Sequence, residues 1–563
     1  MSMSKNIARL AVTAGLTAAL SFGGVMAPVT MAFAAEGDNT ITVTQNKDNA
    51  TTKFKAYQIF KADVVDEGER KVVSNVEWAS PKAQTAVLGV LMAEHVSGIT
   101  DSSTAQEVAD YLAQNVKDTT DTTRVDNSEL LYKIADKVAK GVDQTGASFE
   151  ANMPFTASSK GYYLFVTDTL DASKPNTGTS PIFALVGGSA VTVAEKTIIP
   201  TVEKKILNDG LNKNAENASD SDWGIVGDSQ IGQEVDYKLT GTVADNIASY
   251  DKYEYEFQDT LSKGLVVAKD DSNDAKDLHV YIVNGNSKTE VKEGFTATVS
   301  SAADPQKNSE LLKVSFEDLK TVKDVNGSPI TVDKGSKVVV TYKAQLTSNA
   351  SYEVAGNPNT VKLVYSNNPM AEGTGTSIEK TVTDHVFRLD VTKVDQNEPA
   401  KKLEAGFKVQ VVENEDSVSV GRWLSEDGSL VDGEENAYEF KTDKVTGDVK
   451  IPGLDAGKYL ITETATPAGY NTIRPFYITV TPSYDDQGNL TTLTAIADSD
   501  MVETNNATDA TIPLTVKNKK GSGLPLTGLN GVTFTWIAGG AVLCIGVAHL
   551  IRSRKQAEES EQE

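Results

Sequence analysis

The chain has 563 residues, with 53 Lys and Arg against 78 Asp and Glu and a formal net charge of −25. That balance gives no support to a nucleic-acid role, which needs a basic footprint, and it suits solubility outside the cell. Apolar residues make up 39% of the chain, enough for globular cores, and the single cysteine, Cys544, falls in the apolar C-terminal run. Everything before that run therefore lacks a disulfide, although secreted proteins are free to form them.

Lys5 and Arg9 precede an apolar stretch from Leu10 to about Ala34. Ala32-Phe33-Ala34 is an A-x-A cleavage signature, followed by the polar Glu36-Gly37-Asp38, so residues 1–35 read as a secretory signal peptide. The N-terminal domain, 36–197, begins and ends with strand patterns. Ile41-Thr42-Val43 and Phe54 to Phe60 alternate, and Gly161 to Val166 does so in part. Helical patterns lie between. Ser80-Pro81 is a cap with a first-turn proline ahead of Val87, Leu88 and Leu91. Ser103 and Gln106 can form a capping box before Val108, Tyr111 and Leu112. Leu130, Leu131, Ile134 and Val138 line a third helix that ends near Gly141. This domain reads as a β-sandwich with a helical insertion, or as α+β.

Residues 198–384 and 385–521 show no comparable helical run. Short alternating segments separated by Gly, Asn and Asp turns favour antiparallel sandwiches. The expected fold class is mainly β: tandem immunoglobulin-like β-sandwich domains, the first carrying helices. Ser366-Asn367-Asn368-Pro369 through Gly375 reads as the boundary loop before the last domain. Gly521-Ser522-Gly523 is a flexible tether. It exposes Leu524-Pro525-Leu526-Thr527-Gly528. Val532 to Ile551 then runs 20 residues without a carboxylate, Lys or Arg, long enough to cross a hydrocarbon core as a helix. Arg552, Arg554 and Lys555 follow and hold the tail in the cytoplasm.

The order of pentapeptide, apolar helix and basic tail over residues 522–563 resembles the cell-wall sorting signal, L-P-x-T-G, of Gram-positive surface proteins. In that family a sortase cleaves between the residues matching Thr527 and Gly528 and passes the Thr527 carbonyl to an amine. A second resemblance lies in the last domain. Tyr459-Leu460-Ile461-Thr462-Glu463-Thr464-Ala465-Thr466-Pro467-Ala468-Gly469-Tyr470 resembles the box Y-x-hydrophobic-x-E-T-x-x-P-x-G-Y of collagen-adhesin B-type domains, with Thr466 where Ala is usual. There the Glu sits beside a Lys and an Asn that condense into an intramolecular isopeptide bond. Lys393 shares strand parity with Leu389 and Val391, and Asn518 with Leu514 and Val516, so both are placed for a core. The expected order is Lys393, Glu463 and Asn518 on first, penultimate and last strands. Burial lowers a Lys pKa and raises a Glu pKa. The amine then becomes nucleophilic, and the neutral carboxyl can donate to the Asn carbonyl and carry the proton that leaves with ammonia. Holding the reactants together supplies the effective molarity.

The middle domain repeats the pattern. Val202, Lys204 and Ile206 share a face, with Lys205 toward solvent; Asn359, Val361, Leu363 and Tyr365 share another. Asp236, 32 residues after Lys204, resembles the early Asp of the A-type isopeptide domains. Glu256 is the rival acid and Asn367 the rival Asn. At the end of the first domain, Val191-Thr192-Val193-Ala194-Glu195-Lys196 resembles the acceptor motif V-x-V-Y-P-K of backbone pilins, with Ala194 and Glu195 in place of Tyr and Pro. The resemblance implies Lys196 as an intermolecular acceptor, whose amine must be accessible to solvent.

Taken along the chain, these segments resemble a sortase-assembled major pilin of a Gram-positive bacterium. The resemblance implies a secreted, wall-anchored, non-enzymatic fimbrial subunit whose only catalysis is the closure of its own isopeptide bonds. Its implied partners are a pilin-specific sortase, further copies of the chain in a head-to-tail covalent polymer, a tip pilin and peptidoglycan. Adhesion is the implied service, and the receptor is not named. The implied bonds tie first strands to last, so that force does not unzip the sheets. The alternative is a monomeric wall-anchored adhesin on a stalk of the same domains; a wall-anchored hydrolase would need paired carboxylates in a cleft of the first domain. No cofactor is implied. The histidines, His95, His279, His385 and His549, are scattered without metal spacing. Asp270-Asp271-Ser272-Asn273-Asp274 lacks the Gly and terminal Glu of an EF-hand loop and reads as a solvated turn.

Overall fold

The computed structural model describes residues 39–521 apart from 47–48, 51, 68–69, 117–124, 172–173, 208–212, 272–273, 302–308, 415–417, 506 and 508, together with Leu10–Ala11. The pentapeptide, the apolar run and the basic tail lie outside the described residues. So does the signal segment, except that Leu10 and Ala11 pair with Val73 and Val72. Among the described residues no helix is long and apolar enough to cross a membrane.

The chain is mainly β. The N-terminal part has β1 (Thr40–Thr44), β2 (Lys53–Glu67), β3 (Arg70–Trp78), α1 (Pro81–Ala93), α2 (Ala105–Asn115), α3 (Leu130–Gly141), β4 (Gly161–Thr169), β5 (Ile182–Val186) and β6 (Val191–Ala194). The main sheet runs β3-β2-β4-β5. The helices cover one face, packing Val87, Leu91, Val108, Leu112 and Ile134 onto Tyr57, Ile59, Leu164 and Leu185. A small sheet with β1 and β6 covers the other, packing Ile41 and Val43 onto Tyr163 and Phe165. Because β4 is covered on both faces, its first seven residues are all buried and alternation fades. Ser80 Oγ caps α1 by accepting from Ala83 N at 3.1 Å. The capping box of α2 is one residue later than expected: Thr104 Oγ1 accepts from Glu107 N and Glu107 accepts from Thr104 N, while Ser103 Oγ instead accepts from Thr100 N.

The middle domain is two facing sheets. Its labelled strands are β7 (Val202–Leu207), β8 (Val226–Asp228), β9 (Glu234–Thr242), β10 (Tyr255–Leu261), β11 (His279–Asn284), β12 (Thr296–Ser301), β13 (Glu310–Phe316), β14 (Lys337–Leu346), β15 (Asn357–Ser366) and β16 (Lys380–His385). One sheet contains the run β7-β9-β14-β11 and the other the run β8-β16-β15-β10-β13-β12. The C-terminal sandwich has β17 (Phe387–Asp395), β18 (Gly406–Asn414), β19 (Asp448–Leu454), β20 (Gly457–Ala465), β21 (Phe476–Tyr484), β22 (Leu490–Ala497), β23 (Val502–Thr504) and β24 (Thr511–Asn518). A β19-β17-β24-β23 sheet faces one containing β18-β20-β21-β22. Here β17 and β24, first and last, lie parallel and adjacent, with Asp395 opposite Asn518.

The loop 366–375 is not the boundary before the last domain. It packs back on the N-terminal domain: Tyr132 OH donates to Pro369 O at 2.9 Å, Asn367 Nδ2 donates to Asn176 Oδ1 at 2.8 Å, and Met370 joins the helix-covered core. Apolar contact and satisfied amides hold it there, and the chain then returns to build β16. At the other junction β8 and β16 pair in parallel, His385 Nε2 meets Gly488 O at 2.9 Å, and the His385 ring stacks on Tyr484 at 4.9 Å.

Candidate functional site

Two buried clusters stand out, one in each sandwich. In the C-terminal domain, β17 buries alternate residues Phe387, Leu389, Val391 and Lys393, and β24 buries Leu514, Val516 and Asn518. The pleat thus sends a lysine and an amide into the same apolar layer. Glu463 comes from β20 in the facing sheet. All three are at most 1% exposed. Lys393 Nζ is 3.0 Å from Glu463 Oε1, without a well-aligned hydrogen bond, and Asn518 Nδ2 donates to the same oxygen at 2.9 Å. Ile473 N donates to Glu463 Oε2 at 2.9 Å and fixes the carboxyl. The amine lies 5.3 Å from the Phe407 ring centre. Burial pulls the Lys393 pKa down to about 8, against the pull of Glu463, which raises it. The acid meets the amide nitrogen, where the sequence expectation put it on the carbonyl; Asn518 Oδ1 has no partner among the described residues. Glu463 is also not on the penultimate strand: β21, β22 and β23 follow β20 before β24.

In the middle domain Lys204, on β7, is likewise buried. Its acid is Asp259, not Asp236. Lys204 Nζ donates to Asp259 Oδ1 at 2.6 Å and Oδ2 at 2.5 Å, with both side chains fully buried. Asp236 has the wrong parity: Leu239 lies opposite Lys204 in the β7–β9 pair, Tyr237 and Leu239 face the core, and Asp236 turns to Lys343 at 3.0 Å. Glu256 also points out, accepting from Ser315 and Gln258. Asn359 is at the site and Asn367 is not. Asn359 Nδ2 donates to Tyr342 OH at 2.8 Å, that hydroxyl donates to Asp259 Oδ2 at 2.6 Å, and Lys204 Nζ lies 3.2 Å from it. Burial again pulls the lysine down to about 8, opposed by Asp259. Asn359 Oδ1 accepts no hydrogen bond among the described residues. Asn359 sits on β15, and β16 follows it, so this pair does not join first strand to last.

Sequence reasoning missed Asp259 and Tyr342. The signal for Asp259 was present: it shares parity with Tyr255, Phe257 and Leu261, so it is an acid in an apolar row.

Lys196 does not have the expected accessible amine. The residue is 6% exposed; its N donates to Thr179 Oγ1 at 2.8 Å, and its O accepts from Ser180 N. The covering segment, Asn176 to Ser180, is itself buried against Asn246 and Ser249 of the middle domain. Lys205, facing Lys238 on the neighbouring strand, is half-buried. Among the described residues no group of three or more His, Cys, Asp or Glu could hold a metal ion.

Residues 387–495 match the family model described as SpaA, a prealbumin-like fold domain. The matched residues all lie within the last domain. Among curated proteins none matches the sequence. Of solved structures, the T6 backbone pilin of serotype M6 Streptococcus pyogenes is 14% identical, over 86% of this chain and 99% of that one, with a TM-score of 0.48. The full-length major pilin SpaD of Corynebacterium diphtheriae is 15% identical, over 88% and 100%, at 0.42. The Corynebacterium diphtheriae major pilin SpaA is 14% identical, over 86% and 100%, at 0.39. At these identities and scores the likeness carries no functional argument. The SpaA-type match spans the Lys393 and Glu463 positions and ends before Asn518.

Proposed function

We propose that the chain is the backbone subunit of a covalent surface fimbria of a Gram-positive bacterium, joined head to tail by a sortase and anchored to peptidoglycan. Lys393 condenses with Asn518 and Lys204 with Asn359, each with loss of ammonia, using Glu463 and Asp259 as acids. The observation that carries the reading is the pair of buried Lys–acid–Asn clusters in successive sandwiches, upstream of Leu524-Pro525-Leu526-Thr527-Gly528. A buried ion pair is poor support for stability, because desolvation offsets the Coulomb attraction. Proton transfer within the pair gives a neutral amine and a neutral acid, and condensation then removes both charges from the interior.

The sortase cleaves after Thr527 and transfers its carbonyl to a lysine of the next subunit. Lys196 is that lysine by position, and its burial requires the junction between the first two domains to open. Lys205, half-buried, is the less covered neighbour. A tip pilin and adhesion to a host or bacterial surface complete the reading.

An anti-subunit immunoblot of wall extracts tests it. The expected result is a high-mass ladder, lost in Thr527→Ala and in Lys196→Ala. A ladder that survives Lys196→Ala but not Lys205→Ala moves the acceptor to Lys205. A single band in wild type supports the monomeric adhesin instead.

A further inference from the structure

The two clusters differ in how the acid reaches the departing nitrogen. In the C-terminal domain one oxygen, Glu463 Oε1, touches both Lys393 Nζ at 3.0 Å and Asn518 Nδ2 at 2.9 Å. In the middle domain Asp259 grips the amine, while Asn359 Nδ2 donates to Tyr342 OH, which donates in turn to Asp259 Oδ2. We propose that Tyr342 is a catalytic residue of the middle-domain condensation, relaying a proton from Asp259 to the leaving nitrogen of Asn359. The proposal rests on the reading that Lys204 and Asn359 condense.

Lys204 passes one proton to Asp259, and the neutral amine attacks Asn359 Cγ. The Cγ–Nζ bond forms, and the carbonyl π pair moves to Oδ1. Tyr342 then gives its hydroxyl proton to Nδ2 and takes one from Asp259 Oδ2. The Cγ–Nδ2 bond breaks with its electron pair going to nitrogen, the carbonyl re-forms, and ammonia leaves. The new amide nitrogen loses its extra proton to Asp259, which ends protonated, and Tyr342 ends as it began. No outside reactant is needed.

The setting suits a relay. Tyr342 and Tyr237 are opposite each other in register, with rings stacked at 5.5 Å and 17°, so the hydroxyl is held in place. Burial and the Asp259 charge push the hydroxyl pKa well up, which keeps it a neutral group able to accept and donate together.

The test uses chain recovered unfolded from inclusion bodies and refolded by dilution, with both cross-linked peptides quantified by mass spectrometry over time. Tyr342→Phe keeps the stacked ring and removes only the hydroxyl. The expected result is middle-domain closure slowed by about 10²–10⁴-fold, the range for lost general acid–base catalysis. Closure of the C-terminal domain should be unchanged, and Tyr237→Phe should close normally. Closure of the middle domain at wild-type rate in Tyr342→Phe overturns the relay. A wild type without the Lys204–Asn359 peptide overturns the condensation itself. Should Tyr342→Phe fail to fold, refolding of wild type in D2O decides. A two-proton relay predicts a larger solvent isotope effect on the middle-domain bond than on the C-terminal one, and equal effects contradict it.

Discussion

A lysine amine with no exposed side-chain surface, touching a carboxylate, holds one proton that either group can carry. The neutral amine with a protonated acid has the same proton count as the ion pair. The rate of closure is therefore independent of pH while the pair keeps that proton. The lysines are lowered from the usual 10.5 to about 8, so in the folded, unlinked chain the proton is lost near pH 8. Above that pH the amine is free but the proton needed by departing ammonia is gone, and the titration belongs to the pair. Refolding assays should show a flat rate from about pH 6 to 8 and a fall of roughly tenfold per unit above it, the slope of losing one proton. A rate that climbs through pH 8 would mean that the amine acts without the acid. The same assay ranks the acids. Asp259→Ala should abolish the middle bond, whereas Asp236→Ala, which breaks a contact with Lys343 on the other face, and Glu256→Ala should leave it. Glu463→Ala should abolish the C-terminal bond alone. Lysines and asparagines at core parity were legible in the sequence because strand alternation assigns each a side. Asp236 misled because its place early in the domain matches the A-type pattern, whereas parity decides which face a side chain takes. Tyr342 was not legible, since a tyrosine in an apolar row is ordinary core until its hydroxyl partners are seen.

Between elements, what matters is which strands a bond would join. Lys393 and Asn518 lie on adjacent parallel strands, so a bond between them would span a sequence separation of 125 residues, 518 less 393, between the two ends of the domain. By analogy with disulfide loop entropy, that closure contributes about 4–5 kcal/mol. Asn518→Ala keeps the Lys393–Glu463 pair and removes the link together with the amide that bonds Glu463 and Asn471. Its C-terminal domain should unfold in urea with stability lower by about that amount; a midpoint equal to wild type would contradict a bond there. Alternation, Gly-Asn-Asp turns and helix caps made strands and helices readable, and the Ser80 cap falls where expected. The Ser103 cap was off by one because neighbouring hydroxyls compete, and Thr104 has the glutamate three residues on. The 366–375 loop was misread because its polar, Pro- and Gly-containing composition is that of a linker. Its amides are satisfied by the N-terminal domain, a partner that no local pattern names.

For the whole molecule the two proposed bonds would define a load path. Tension entering at Gly521 would then reach Asn518, cross to Lys393, run back along the chain to Asn359 and cross to Lys204. Residues 205–358 and 394–517 are bypassed. The 35 residues from Asn359 to Lys393, including β16, would remain in that path as a stretch that can lengthen, because the expected tie of first strand to last is not made in the middle domain. Pulling between handles at Ile198 and Gly521 should release a contour of at most about 110–120 Å at full extension, less the folded span. Lys204→Ala should lengthen that step several-fold. Equal steps in both would show that the middle bond bears no load.

Intact mass spectrometry of the purified ectodomain, 36–521, with sequencing of its cross-linked peptides, tests the covalent account most directly. The account predicts a mass short of the sequence by two ammonia molecules, with peptides joining Lys204 to Asn359 and Lys393 to Asn518. A mass equal to the plain sequence would contradict it.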